Sequence, residues 1–168
     1  MSIKEGNLFW ITGLAGAGKT TLGRELYTIL KSERPHPVFL DGDRLRQLFG
    51  PEKGYSNEDR FSLAMQYAGL CKLLTDQGID VICSTISMFE KCREWCRTNI
   101  PNYREIYLKV PREVLVRRDK KGLYSGVLEG TQVVGMDLDF EEPKTPDLVL
   151  DSSGSLTPRE LAQRILEL

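Results

Sequence analysis

The string G-L-A-G-A-G-K-T at Gly13–Thr20 constrains this chain more than any other feature. It fits the pattern G-x-x-x-x-G-K-[ST], whose glycines let the backbone turn tightly and aim successive N–H groups at a polyphosphate. Its flanks suit the pattern: an apolar run, Leu8-Phe9-Trp10-Ile11, precedes it, and a helical stretch from Thr20 to Leu30 follows. In that frame Gly13, Leu14, Ala15, Gly16, Ala17 and Gly18 form the cradle, with Thr21 beginning the helix behind it. Lys19 reaches the β- and γ-phosphates, and the Thr20 hydroxyl sits on Mg²⁺. A chain built this way binds a nucleoside triphosphate.

The remaining composition narrows the class. At 168 residues the chain suits one domain with a real core. The 23 basic and 24 acidic side chains nearly cancel, so nothing favours an extended nucleic acid as ligand. No apolar run approaches a membrane span, and Met1-Ser2-Ile3-Lys4-Glu5 lacks the apolar segment of a signal peptide. Cys71, Cys83, Cys92 and Cys96 do not resemble a disulfide framework, and His36, the single histidine, lies between two prolines. The expected setting is a reducing cytoplasm, with the cysteines as packing and no structural zinc.

Short apolar runs alternate with helical stretches, the pattern of a parallel sheet covered on both faces. Strands are expected near 7–12, 37–40, 79–84, 104–110 and 147–150, and helices near 19–31, 43–49, 57–77, 89–98, 111–118 and 158–167. Ser56 followed by Asp59 resembles a capping box, and Thr157-Pro158-x-Glu160 supplies an N-cap, a proline and an acid in the right order. Pro111 is expected to open its helix, and Gly78 to close the long one. From Lys120 to Pro146 there are four glycines, two prolines and little periodicity. Tyr124 and Phe140 are interleaved with charges there, and a connection this long in a compact domain reads as a lid. The expected fold is thus α/β: a five-stranded parallel sheet, helices on both faces, and a lid over about 120–146.

Binding a triphosphate does not say what is done with it. A kinase, a GTPase-type switch and a nucleotide sensor without chemistry all remain, although the N-K-x-D base-reading motif of guanine switches is absent. The discriminating feature is Asp41-Gly42-Asp43-Arg44-Leu45-Arg46, immediately after the second strand. In an open α/β sheet that strand end faces the same crevice as the phosphate loop. Asp41 and Asp43 can divide the work there. One orders the Mg²⁺ shell through water, and the other accepts the proton of an attacking hydroxyl. Asp41 can also cap the following helix, which is compatible with either role. The basic run Arg117-Arg118-Asp119-Lys120-Lys121 complements a helix C-terminus, or brings Arg118 and Lys121 onto the transferring phosphoryl group on closure.

At this point the residues resemble a known family, the adenylylsulfate (APS) kinases, over nearly the whole chain. The matching blocks are W-I-T-G-L-A-G-A-G-K-T-T at 10–21, F-L-D-G-D-x-x-R at 39–46, G-Y-S-x-x-D-R at 54–60, T-I-S-M-F at 85–89, R-D-x-K-G-L-Y at 118–124, G-M-D-L-D-F-E-E-P at 135–143 and P-D-L-V-L-D at 146–151. The resemblance implies a P-loop kinase fold, a homodimer, and transfer of the ATP γ-phosphoryl group to the ribose 3′-hydroxyl of a nucleotide. It puts Asp43 near that hydroxyl and Arg46 and Arg60 on the acceptor's phosphate. Tyr55 would stack on the acceptor base, and the Ile86–Ser87 backbone would line its site. Lys121, Gly122, Leu123 and Phe140 would complete the acceptor side from the lid, and Arg118 the ATP side.

The departures from that family cluster on the acceptor side. After D-R the family continues K-x-N-I-R-R, whereas this chain has Leu63, Met65 and Gln66 in place of the Asn and the two Arg. Arg44 replaces the Asn of D-G-D-N, and Val133-Val134 replaces an aromatic-bearing pair in the lid. An arginine lost from a phosphosulfate forfeits charge-assisted hydrogen bonds worth about 1.5–3 kcal/mol each. A lost stacking ring costs a further 1–3 kcal/mol or so. Two acceptors therefore stand: APS, or a CDP-type nucleotide such as the cytidine diphosphoramidate of capsule synthesis, with a smaller base and a less anionic tail.

Overall fold

β1 (Leu8–Thr12) is the strand on which the rest is assembled, and all five of its residues are buried. The computed structural model describes residues 4–50, 52–119, 122, 133–135 and 138–168. β1 lies in the middle of a parallel sheet with β2 (Val38–Asp41), β3 (Val81–Ser84), β4 (Tyr103–Leu108) and β5 (Leu148–Leu150), in the order β2-β3-β1-β4-β5. Side chains alternate across a strand, so β1 feeds two different cores. Phe9 and Ile11 face α1 (Lys19–Glu33) and α6 (Pro158–Leu166), packing with Leu22, Leu26, Leu161 and Ile165. Leu8 and Trp10 face the other way, onto Leu63, Tyr67 and Cys71 of α3 (Asn57–Thr75) and Cys92 and Cys96 of α4 (Glu90–Asn99). Both faces are covered, which is why the strand reads as one apolar run rather than an alternation.

Two shorter helices, α2 (Gly42–Phe49) and α5 (Arg112–Arg118), follow β2 and β4. Every expected strand and helix is present, with ends displaced by at most two residues. The α6 capping box forms in full: Thr157 Oγ1 accepts from the Glu160 N–H, and the Glu160 carboxylate accepts from the Thr157 N–H at 2.7 Å. Pro111 needs a one-residue correction. Its ψ of 139° is extended, so it is the N-cap and the helix starts at Arg112. Gly78 is left-handed (φ +81°) and its N–H donates to the Thr75 carbonyl, closing the end of α3.

All four cysteines are buried free thiols, and burial pushes Cys71 well above its ordinary value. Among the described residues no cluster of three His, Cys, Asp or Glu side chains could hold a metal ion, and no helix is long and apolar enough to cross a membrane.

Candidate active site

The carboxyl ends of β1 and β3 open onto a cleft of about 630 Å³. Its donor end is the loop after β1. Gly13 has φ +151°, and a Cβ there would stand 2.5 Å from the Leu108 carbonyl oxygen of β4. Gly18, the N-cap of α1, is left-handed (φ +95°) and makes no side-chain cap, so the first N–H groups of α1 face the cleft without a capping side chain. Lys19 Nζ folds back to donate to the Leu14 carbonyl at 2.8 Å. The Thr20 hydroxyl donates to Asp41 Oδ2 at 2.6 Å, joining the start of α1 to the end of β2.

Asp41 has a second role. Its Oδ1 accepts from the Asp43 N–H at 3.0 Å, making it the N-cap of α2. Asp43 is thereby held in the first turn, exposed at the cleft and facing the same opening as Lys19 and Thr20. One aspartate both caps a helix and faces the position expected for a cation. The oxygen pair Thr20–Asp41 suits a hard divalent ion such as Mg²⁺, which takes few protein ligands and keeps several waters.

The part of the cleft beside α2 and α3 carries two cations. Arg46 donates to the Gly54 carbonyl at 2.6 Å and lies 4.0 Å from the Tyr55 ring centroid. Arg60 donates through Nε to the Tyr55 carbonyl at 2.9 Å and lies 5.2 Å from the same ring. Burial and the neighbouring Arg46 charge lower the Arg60 guanidinium below its usual value. Like charges gathered this closely favour an anion between them. Tyr55, expected to stack on a base, stands outside the cleft lining with a face covered by Arg46; its stacking partners in this structure are the guanidiniums. Phe140 also has an aromatic neighbour and is not among the cleft-lining residues. It packs on Tyr107 with ring centroids 6.0 Å apart.

Ile86 and Ser87 line the cleft as expected. The Thr12 hydroxyl donates to the Ile86 carbonyl at 2.5 Å, and Ser87 is held at φ +47°. A non-glycine residue there costs on the order of 1–3 kcal/mol, so its surroundings over-determine it. Val134 lines the cleft, and Gly135 (φ +86°) lies against Leu14 so closely that a Cβ would meet its Cδ2 at 2.7 Å. The 133–135 turn therefore sits directly on the phosphate loop. Gly122 donates its N–H to the Asp119 carbonyl, while Lys121 and Leu123 lie outside the described residues.

Arg118 is an expected contributor, whereas Ser152, Ser84 and Tyr67 escaped the sequence. Arg118 reaches the phosphate loop indirectly: it donates to Ser152 Oγ at 3.1 Å, and Ser152 Oγ donates to the Ala17 carbonyl at 2.7 Å. Ser152 follows β5 with no motif to mark it. Ser84 donates to the Lys19 carbonyl at 3.1 Å. Tyr67 lines the cleft beside Leu63 and Ala64. Burial pushes its phenol up to about 12, against the Arg46 charge and with a contribution from Asp43. The i, i+3, i+4 spacing of 60, 63, 64 and 67 could have shown that Tyr67 shares the face carrying Arg60.

Comparison with known proteins agrees with this geometry. Residues 5–151 match the adenylylsulphate kinase family. The chain is 43% identical over 148 residues to the cytidine diphosphoramidate kinase of Campylobacter jejuni subsp. jejuni serotype O:2, covering 87% of this chain and 86% of that protein. It is 39% identical over 147 residues to a probable adenylyl-sulfate kinase of Archaeoglobus fulgidus, covering 86% and 95% respectively. Among solved structures, Mycobacterium tuberculosis APS kinase CysC in complex with AMPPNP and APS superposes with a TM-score of 0.88 at 30% identity, over 97% of this chain and 96% of that one. This chain belongs to the adenylylsulphate kinase family of P-loop phosphotransferases.

Proposed function

We propose that the protein transfers the γ-phosphoryl group of ATP to the ribose 3′-hydroxyl of a CDP-type nucleotide whose tail ends in an amide in place of a sulfate oxygen, as in cytidine diphosphoramidate. The observation that carries this reading is the cleft wall on α3, where Leu63, Ala64 and Tyr67 follow Arg60 and offer no further cation. A sulfate ends in three acceptor oxygens, whereas a phosphoramidate ends in an amide and two oxygens, so its tail offers fewer sites for guanidinium donors. The likeness to the Campylobacter jejuni kinase supports the same acceptor.

In this reading the amides of 13–18 and Lys19 hold the β- and γ-phosphates; Thr20 would hold Mg²⁺, and Asp41 would order its shell through water. The ion, when bound, offsets charge on the phosphate oxygens. Asp43 orients the acceptor hydroxyl and takes its proton. The transition state is loose, so alignment and distributed positive charge from Lys19 and Arg118 matter more than a strong base. Arg46 and Arg60 hold the acceptor's phosphates, and Ile86 and Ser87 bound the acceptor's other side. Lys121, Gly122 and Leu123 close from the lid. The family likeness extends the proposal to a homodimer.

The test supplies ATP and Mg²⁺ with either APS or cytidine diphosphoramidate and follows ADP and the 3′-phosphorylated product. A higher kcat/KM for the cytidine nucleotide is expected; a higher value for APS assigns the protein to APS instead. Lys19→Ala should abolish turnover of both, and full activity in that variant would remove the phosphate loop from the mechanism.

A further inference from the structure

The wall formed by Ile86 and Ser87 belongs to no helix or strand, yet its backbone is tied at successive positions. The Thr85 N–H donates to the Ile11 carbonyl at 3.0 Å, and the Ile86 carbonyl accepts from Thr12. The next ties come from elsewhere in the chain. The Ser87 carbonyl accepts from Arg93 Nη1, and the Met88 carbonyl accepts from the Glu141 N–H at 3.1 Å. The Glu90 N–H, at the start of α4, donates to Glu141 Oε2 at 2.6 Å.

Arg93 is the point where these ties meet. It is 0% exposed, and its Nη2 donates at 2.5 Å both to Glu90 Oε2 and to the Glu141 carbonyl. Its Nε donates to Glu90 Oε2 at 3.1 Å and stands 3.7 Å from Glu105 Oε1. One rigid fork therefore grips the left-handed Ser87 on one side and the main chain at Glu141 on the other. A lysine offers a point charge in place of that planar geometry and cannot reproduce it.

We infer that Arg93 is a positioning residue, through which the segment at Glu141 sets the acceptor wall at Ile86–Ser87 while leaving the phosphate loop alone. The inference rests on the proposed acceptor side of the cleft. It goes beyond it by making acceptor affinity depend on a residue that touches no substrate.

Arg93→Lys and Glu141→Ala test this. Both should raise KM for the acceptor nucleotide about tenfold or more, with KM for ATP within about twofold of wild type. Glu141 is exposed and its truncation strands no buried charge; it keeps the main-chain bond to Arg93 but removes the carboxylate bond to the Glu90 N–H, so that variant loosens the same junction from the 141 side and carries the test if Arg93→Lys does not fold. Amide hydrogen exchange on the substrate-free protein gives a second readout, one that does not require the acceptor to be known. In Glu141→Ala, exchange at 85–90 should quicken while 13–20 keeps its protection. Parallel rises in both KM values, or exchange that quickens equally in both segments, would reduce Arg93 to a general structural role. An acceptor KM and an 85–90 exchange rate equal to wild type would overturn the inference. Wild-type protein that turns over neither nucleotide, with the exchange difference intact, would instead defeat the proposed acceptor.

Discussion

Thr20 and Asp41 are joined by a hydrogen bond of 2.6 Å across 21 residues of chain, so the first turn of α1 and the last residue of β2 share one polar junction. The same carboxylate caps α2 through the Asp43 N–H. Substitution can separate the two duties, because asparagine is as good an N-cap as aspartate but carries no charge. Asp41→Asn should keep its thermal midpoint within a few degrees of wild type. Its kcat should fall by about 10²-fold or more, the scale on which loss of a preorganised electrostatic group is felt. It should also need more Mg²⁺ for half-maximal rate. A steady-state Mg²⁺ titration checks this; an unaltered profile would confine Asp41 to capping.

Asp43 stands exposed in the first turn of α2, on a different element from the phosphate loop. Asp43→Asn should therefore lower kcat by about 10²-fold while ATP affinity stays nearly unchanged. Isothermal titration with a non-hydrolysable ATP analogue, run beside the rate assay, separates the two effects. Equal losses in binding and rate would mean that Asp43 serves the donor.

Gly13 offers a test of the loop's packing. A Cβ would lie 2.5 Å from the Leu108 carbonyl oxygen, and the φ of +151° is strained for any L side chain. Since neither strand can move without breaking β1–β4 pairing, Gly13→Ala should cost roughly 2 kcal/mol or more, among the larger single-site effects. Urea denaturation should show the midpoint falling with an unchanged slope. A wild-type midpoint would show that the strands separate easily.

Asp80 ties the start of β1 to the end of α1, and its ionisation makes that tie pH-dependent. Burial opposes its charge. The Asn7 backbone and side-chain N–H donors at 2.8 and 2.7 Å, with Arg34 at 2.9 Å, outweigh that and hold the carboxyl below its usual value. A depressed acid contributes stability above its unfolded value, near 3.9, and loses it as pH falls through the folded one. Wild-type stability should accordingly decline below about pH 4. Asp80→Asn should be less stable at pH 7 by about 1–3 kcal/mol and show a flatter decline in acid. Thermal melts from pH 7 to 2.5 decide it; parallel curves for the two proteins would exclude Asp80 as a source of the acid sensitivity.

Much of this molecule is written locally. The phosphate loop, the strands and helices and the Thr157 cap all depend on residues within a few positions of each other, and periodicity and capping chemistry reveal such relations directly. The surroundings of Tyr55 and Phe140 were not legible for the opposite reason: an aromatic residue's sequence says that it will pack, and only its neighbours in space say against what. Tyr55 took up Arg46, and Phe140 took up Tyr107. Ser152, Tyr67 and Arg93 sit in no motif, and their importance comes from partners 34 or more residues away or from a shared cleft wall. The order β2-β3-β1-β4-β5 likewise follows from which buried faces fit together. Sequence alone therefore determined the elements and the phosphate cradle, because short-range sterics and hydrogen bonding dictate them. The wall of the cleft at Ile86–Ser87 was decided by tertiary structure, where one buried arginine and one left-handed serine are held by contacts no local pattern encodes.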